Sequence, residues 1–191
     1  MIIFLLLFGL ILSLGSSLFT SLADTGTMVI ASSYTSEDED IYAANDYMNS
    51  LENNLNDQIN NIPNVYVGWN EYNYYIDPIQ HDPYELISYL TAMKMDFEYD
   101  AEIQGLIQEI FNALYTLEVE SIHEVRSYQY IDYDEEGNEV LVTVYYDYYI
   151  LNVTLIANDW DSVVKPKLEA AGVYDVYLLL LETKGNKPDL F

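Results

Sequence analysis

The sequence predicts an α+β fold, in which a long antiparallel β-hairpin joins amphipathic helices behind a strongly apolar N-terminal segment. Three observations carry this reading. Residues 139–156 are almost wholly β-branched and aromatic, a composition suited to a pleated, half-buried strand. Residues 41–62 and 86–117 place apolar side chains at spacings of three and four, the period of helices with one buried face. Between two strand-like stretches stands Asp134-Glu135-Glu136-Gly137-Asn138, a turn whose glycine is free to take positive φ.

The 191 residues suffice for one domain with a real core and a terminal extension. An apolar content of 51% excludes a disordered acidic tail, although the formal net charge is -26. The six basic residues are Lys94, Arg126, Lys165, Lys167, Lys184 and Lys187. So negative a chain repels phosphates, which excludes nucleic acid as a partner. Cysteine is absent, so disulfides, thiolate metal sites and cysteine nucleophiles are excluded within these residues.

Met1 to Leu12 is continuously apolar but for Gly9, and a thinner pattern continues to Leu22. The dense part matches a signal-peptide core, and the whole is long enough to span a bilayer. Ser21-Leu22-Ala23 offers a cleavage site, whereas no basic residue precedes the apolar run. The expectation is a membrane anchor or signal segment at 1–23 and a linker at 24–35. An extracytoplasmic domain would occupy 36–184, with a C-terminal linker at 185–191. The domain would be held at the cell membrane, or secreted if the leader is cleaved.

A helix is expected from Ser36, with Glu39 completing a capping box. Its stripe is Ile41, Ala44, Met48, Leu51, Leu55, Ile59 and Ile62, and Pro63 ends it. The stripe would pack within the domain or, alternatively, form a homo-oligomer through Ile41 to Ile62. Residues 64–81 read as an irregular aromatic loop. Asp82-Pro83 starts the next helix, carrying Leu86, Ile87, Leu90 and Met93 on one face. Asp100 caps a further one with Ile103, Leu106, Ile107, Ile110, Leu114 and Leu117. These two helices are expected to form a hairpin that covers the sheet.

Residues 119–156 follow as the long β-hairpin. In its second strand the apolar set changes parity, from Val140, Val142, Val144, Tyr146, Tyr148 and Ile150 to Leu151, Val153 and Leu155. That switch predicts a bulge or bend at 147–149. A short segment interrupted by Pro166 ends at Gly172. A helix through Tyr174, Tyr177, Leu178 and Leu181 stops at Lys184-Gly185, although Leu178 to Leu181 also suits a buried strand. Residues 187–191 read as a tail without structure of its own.

Chemistry is sparse. His81 and His123 are the only histidines and show no two-ligand spacing. Asp132-x-Asp134-x-Glu136-Gly137 begins like a calcium loop, but Thr143 occupies the position of the closing glutamate. Asn152-Val153-Thr154 is a glycosylation acceptor in the middle of a strand. No catalytic, cofactor-binding or metal-binding residue is assigned, and no cofactor is expected.

Three segments carry a resemblance. His81-Asp82-Pro83-Tyr84-Glu85-Leu86-Ile87-Ser88-Tyr89-Leu90-Thr91-Ala92 resembles a stretch of the membrane-anchored cell-wall hydrolases carried by conjugative transposons of Gram-positive bacteria. Tyr146 to Leu155 and Lys184-Gly185-Asn186-Lys187-Pro188-Asp189-Leu190-Phe191 are similar to two further stretches, in the same order. In that family this region is non-catalytic and membrane-proximal, and an NlpC-type papain-like peptidase module usually follows. Here the chain stops where that module should begin and has no cysteine, so no catalytic residue is carried over. The resemblance implies a fragment or split form of such a hydrolase. It would be a non-enzymatic module that positions a wall-degrading domain or pairs with conjugative transfer-channel proteins. Two other classes stay open: a carboxylate-based peptidoglycan glycosidase, and a divalent-ion-dependent surface binding domain.

Overall fold

The computed structural model describes residues 32–191. The expected anchor at 1–23 and most of the linker at 24–35 lie outside the described residues. Among those described, no helix is long and apolar enough to cross a membrane. The fold is mixed α+β: α1 (Asp38–Asn60), α2 (Ile62–Val65), β1 (Glu71–Ile76), α3 (Pro83–Lys94), α4 (Ala101–Leu114), β2 (Tyr115–Tyr133), β3 (Glu139–Ala157), α5 (Trp160–Ala171), α6 (Tyr174–Thr183) and a 3₁₀ turn, Lys184–Asn186. The described residues form two compact units. One comprises 32–47, 81–107 and 161–191; the other comprises Met48–Gln80 and Gln108–Trp160.

In the first unit, Asp82 caps α3 through its side chain, which accepts the N–H of Tyr84 at 2.8 Å, with Pro83 opening the helix. The helix is buried on nearly every side rather than on one face, because Ser88, Tyr89, Thr91 and Ala92 are inside along with Leu86, Ile87 and Leu90. It packs on α6. Pro166 does not interrupt the chain here, since α5 runs through it. That helix ends in a Schellman motif: Gly172, at φ 72°, donates to the Glu169 carbonyl while Val173 donates to Leu168. At the start of α1, Ser36 Oγ accepts the N–H of Phe97 and Asp40 Oδ1 accepts that of Tyr99, each at 2.8 Å.

The C-terminal residues have structure after all. Tyr34 N–H donates to the Gly185 carbonyl, Asn186 Nδ2 donates to Ser32 and Ser33, and Lys187 Nζ reaches Asp38 at 2.5 Å. The hydroxyl of Tyr84 donates to the Pro188 carbonyl at 2.7 Å, and Phe191 stands edge-on to Tyr84 and Tyr42. Specific polar contacts hold this tail, which hydrophobic periodicity does not register.

The second unit is built on a three-stranded sheet in the order β1-β3-β2. Residues 71–76, expected as part of a loop, form strand β1 beside β3, parallel to it from Glu71↔Ile150 to Ile76↔Leu155. β2 and β3 pair antiparallel from Tyr115↔Ala157 to Tyr133↔Glu139 in one unbroken register. No bulge interrupts β3 at 147–149. The parity switch reflects burial instead. From Ile150 onward, Leu151, Val153 and Leu155 face the core, where Ile62, Trp69, Tyr72, Leu117 and Val119 meet Leu151 and Val153. Before Ile150 the alternate face is half-covered from within the ribbon, as where Arg126 lies over the ring of Tyr148.

The stripe of α1 is buried within the single chain: Ile41, Ala44 and Met48 are fully inside, and Leu55, Ile59 and Ile62 nearly so. Pro63 does not simply stop this helix, because it lies in the first turn of α2. Leu51 is only half-buried and Glu52 is buried instead. The Glu52 carboxylate accepts the hydroxyl of Tyr115 at 2.9 Å, and that same hydroxyl oxygen accepts the Gln80 N–H at 3.1 Å. Such pairing makes a buried carboxylate tolerable.

Candidate functional site

The most distinctive surface is the part of the hairpin that outruns β1. From His123↔Tyr149 to Tyr133↔Glu139 the ribbon has two strands only, a length of about 37 Å at 3.4 Å per residue. It forms because both strands are rich in tyrosine, valine and isoleucine, and because the turn is locally self-sufficient. Asp134 N–H donates to the Asn138 carbonyl to close a three-residue loop, in which Gly137 takes φ 82°. Asp134 Oδ1 accepts the N–H groups of Glu136 and Asn138 at 3.0 and 2.8 Å. These bonds, led by that from Asn138, hold its carboxyl below the usual carboxylate range. The calcium-like sequence is therefore a turn whose middle carboxylate, that of Asp134, is occupied by backbone. Among the described residues no cluster of three or more potential ligands is placed to hold a metal ion.

In an antiparallel pair, residues directly opposite share a face. One face of the arm pairs Tyr130 with Val142, Tyr128 with Val144, and Arg126 with Tyr146. Its rings follow one another: Tyr130 to Tyr128 at 6.3 Å, Tyr128 to Tyr146 at 6.1 Å, and Tyr146 to Tyr148 at 6.4 Å. The Arg126 guanidinium sits 3.4 Å above Tyr148, and Glu124 and Glu71 hold it at 2.9 and 4.0 Å. The other face carries Ile131, Leu141, Tyr145 and Val125, of which Tyr145 is 71% exposed. At its root His123 stacks on Tyr149, which meets Trp69 edge-on. An isolated run of apolar side chains this exposed on both faces is what marks a contact surface.

The remaining sequence candidates fall elsewhere. His81 Nε2 meets Asn45 Oδ1 at 2.9 Å in the first unit, as a structural partner of α1. His123 Nε2 meets Asp147 Oδ1 at 2.8 Å on the arm, with both side chains at least half exposed. The two histidines belong to different units. Asn152 is half-buried mid-sheet and accepts from Asn73 at 3.2 Å, a strand position rather than an open loop. The arm was visible in sequence as a long hairpin. Its exposure was not, because the signal lies in where β1 begins. No protein-family model, curated protein or solved structure matches this chain.

Proposed function

We propose that the chain is a non-catalytic interaction module, held on the extracytoplasmic side of a cell membrane by its apolar N-terminal segment, whose tyrosine-rich arm makes the contact. The observation that carries this reading is the exposure of apolar side chains on both faces of a ribbon that no other element of its unit flanks beyond Tyr149. Tyrosine suits such work, since it buries a large ring while keeping a polar tip. The resemblance to cell-wall hydrolases of conjugative transposons supplies the setting, with wall-degrading or transfer-channel proteins as partners. Two of the segments that carry it pack on one another, the 184–191 tail against Tyr84 of α3. They hold the fold, and that accords with a module that positions rather than reacts.

A photo-reactive phenylalanine analogue in place of Tyr145 tests this in cells carrying a conjugative element. Adducts with a wall hydrolase or transfer-channel component are expected. An absence of adducts, together with clearing of purified sacculi by the isolated chain, would overturn the reading in favour of an enzyme.

A further inference from the structure

We propose that the outer edge of β3 between Leu141 and Asp147 takes up an extended basic peptide as an added strand. This deepens, and rests on, the reading of the arm as a contact surface. The orientation of the edge follows from backbone hydrogen bonds. Tyr149 N–H donates to Asn70 Oδ1 at 2.8 Å, and its carbonyl accepts from Asn70 at 2.9 Å. The Leu155 carbonyl accepts from Asp77, and Ala157 N–H donates to the Asp77 carboxylate. All of these groups belong to odd-numbered residues and face the β1 side. Even-numbered residues serve β2 instead, as in Asn158 N–H to Leu114 and Asp134 N–H to Asn138. Strand alternation then directs the N–H and C=O of Leu141, Thr143, Tyr145 and Asp147 outward, in line with β1 and ahead of its first residue.

Edges of this kind are normally blunted by lysine, proline, a bulge or shortness. Residues 139–149 contain neither lysine nor proline, and their register has no bulge. Along β2 the charges fall lower: Glu118 and Glu120 lie opposite Thr154 and Asn152, and Glu124 and Arg126 stand near the root of the arm. An added strand would lay alternate side chains beside Leu141 and Tyr145, which are 62% and 71% exposed.

Charge selects the occupant. Glu139 precedes the open row and Asp147 ends it, Glu135 and Glu136 stand at the tip, and the only Lys or Arg of the arm, Arg126, is held by Glu124 and Glu71. A second copy would bring another formal charge of -26 against the first. A peptide alternating lysine or arginine with apolar residues meets both the charge and the pleat.

The test titrates the full chain into a labelled seven-residue peptide of alternating lysine and valine, followed by anisotropy. Thr143→Pro removes an outward N–H while leaving the β2 ladder intact, and Ser127→Pro makes the same lesion on the opposite edge. Thr143→Pro should weaken binding about tenfold, Ser127→Pro should leave it nearly unchanged, and backbone N-methylation of the peptide should abolish it. Should Thr143→Pro disturb the hairpin, as read by amide exchange, the pair Glu135→Lys and Glu136→Lys takes its place. It should weaken the lysine peptide and favour a glutamate–valine one. Equal binding of the N-methylated peptide, sensitivity to Ser127→Pro alone, no effect of the lysine pair, or a dimer abolished by Thr143→Pro would each overturn the proposal. If Tyr145 adducts persist in cells while strand addition fails, the arm remains the contact surface; if both fail, the parent reading falls too.

Discussion

Gly185 is the position where one added methyl group does most damage. A Cβ there would lie 2.3 Å from the ring of Tyr34, and the residue sits at φ 56°, where side chains are strained. Tyr34 is buried, and its hydroxyl pairs with Ser88 at 2.9 Å, so the ring has little freedom to retreat. Gly185→Ala should therefore lose about 2–4 kcal/mol in urea unfolding, from overpacking and backbone strain together. The buried phenols also set a pH response. Burial pushes the Tyr34 hydroxyl up to about 12, against a hydrogen bond from Ser88 that pulls it down. Burial first, and then the negative charge of Glu52, push Tyr115 well above its ordinary value. A phenol whose folded value is raised stabilises the fold fully below the unfolded value near 10, and this contribution is lost as pH climbs through the folded one. Unfolding midpoints should fall between about pH 10 and 12, and Tyr34→Phe should flatten that fall. At neutral pH, Tyr115→Phe should cost about 1.5–3 kcal/mol, since the buried Glu52 carboxylate loses a donor.

At the scale of elements, the places where periodicity or a cap speaks were legible in the sequence. Asp82-Pro83 and Asp100 begin helices as their side chains dictate, with Asp100 Oδ1 accepting from Glu102 and Ile103. The hairpin and its glycine turn also follow from local chemistry. β1 escaped notice because Glu-Tyr-Asn-Tyr-Tyr-Ile is short and partly polar, and its strand state depends on β3 lying alongside. Pro166 misled for the opposite reason. A local rule says that it breaks a helix, yet Val164 and Leu168 on either side are buried and hold the helix together. That tension makes a prediction. Pro166 is exposed, so Pro166→Ala restores a backbone donor without disturbing packing. It should raise stability by about 1–3 kcal/mol, read as a higher urea midpoint at unchanged slope.

At the scale of the whole molecule, the arm's sequence looked like core because strand composition alone does not distinguish a covered sheet face from a bare one. Val140 to Tyr149 would suit a sandwich interior; what leaves them outside is that β1 begins only beside Ile150. Fold and contact surface are thus separable, and a shortened chain tests the separation. Arg126 and Tyr146 face one another as an even-numbered, hydrogen-bonded pair, a register that a two-residue Asn-Gly turn can close. Replacing residues 127–145 by Asn-Gly removes ladder bonds and the ring series, which destabilises. It also removes Asp132, Asp134, Glu135, Glu136 and Glu139, whose mutual repulsion opposes folding in a chain of net charge -26. Neither change reaches the cluster of Ile62, Leu151 and Val153. The melting temperature should therefore shift by no more than about 5 °C, while capture of the lysine–valine peptide is lost. A shortened chain that fails to fold would mean that the arm, for all its exposure, holds the sheet together.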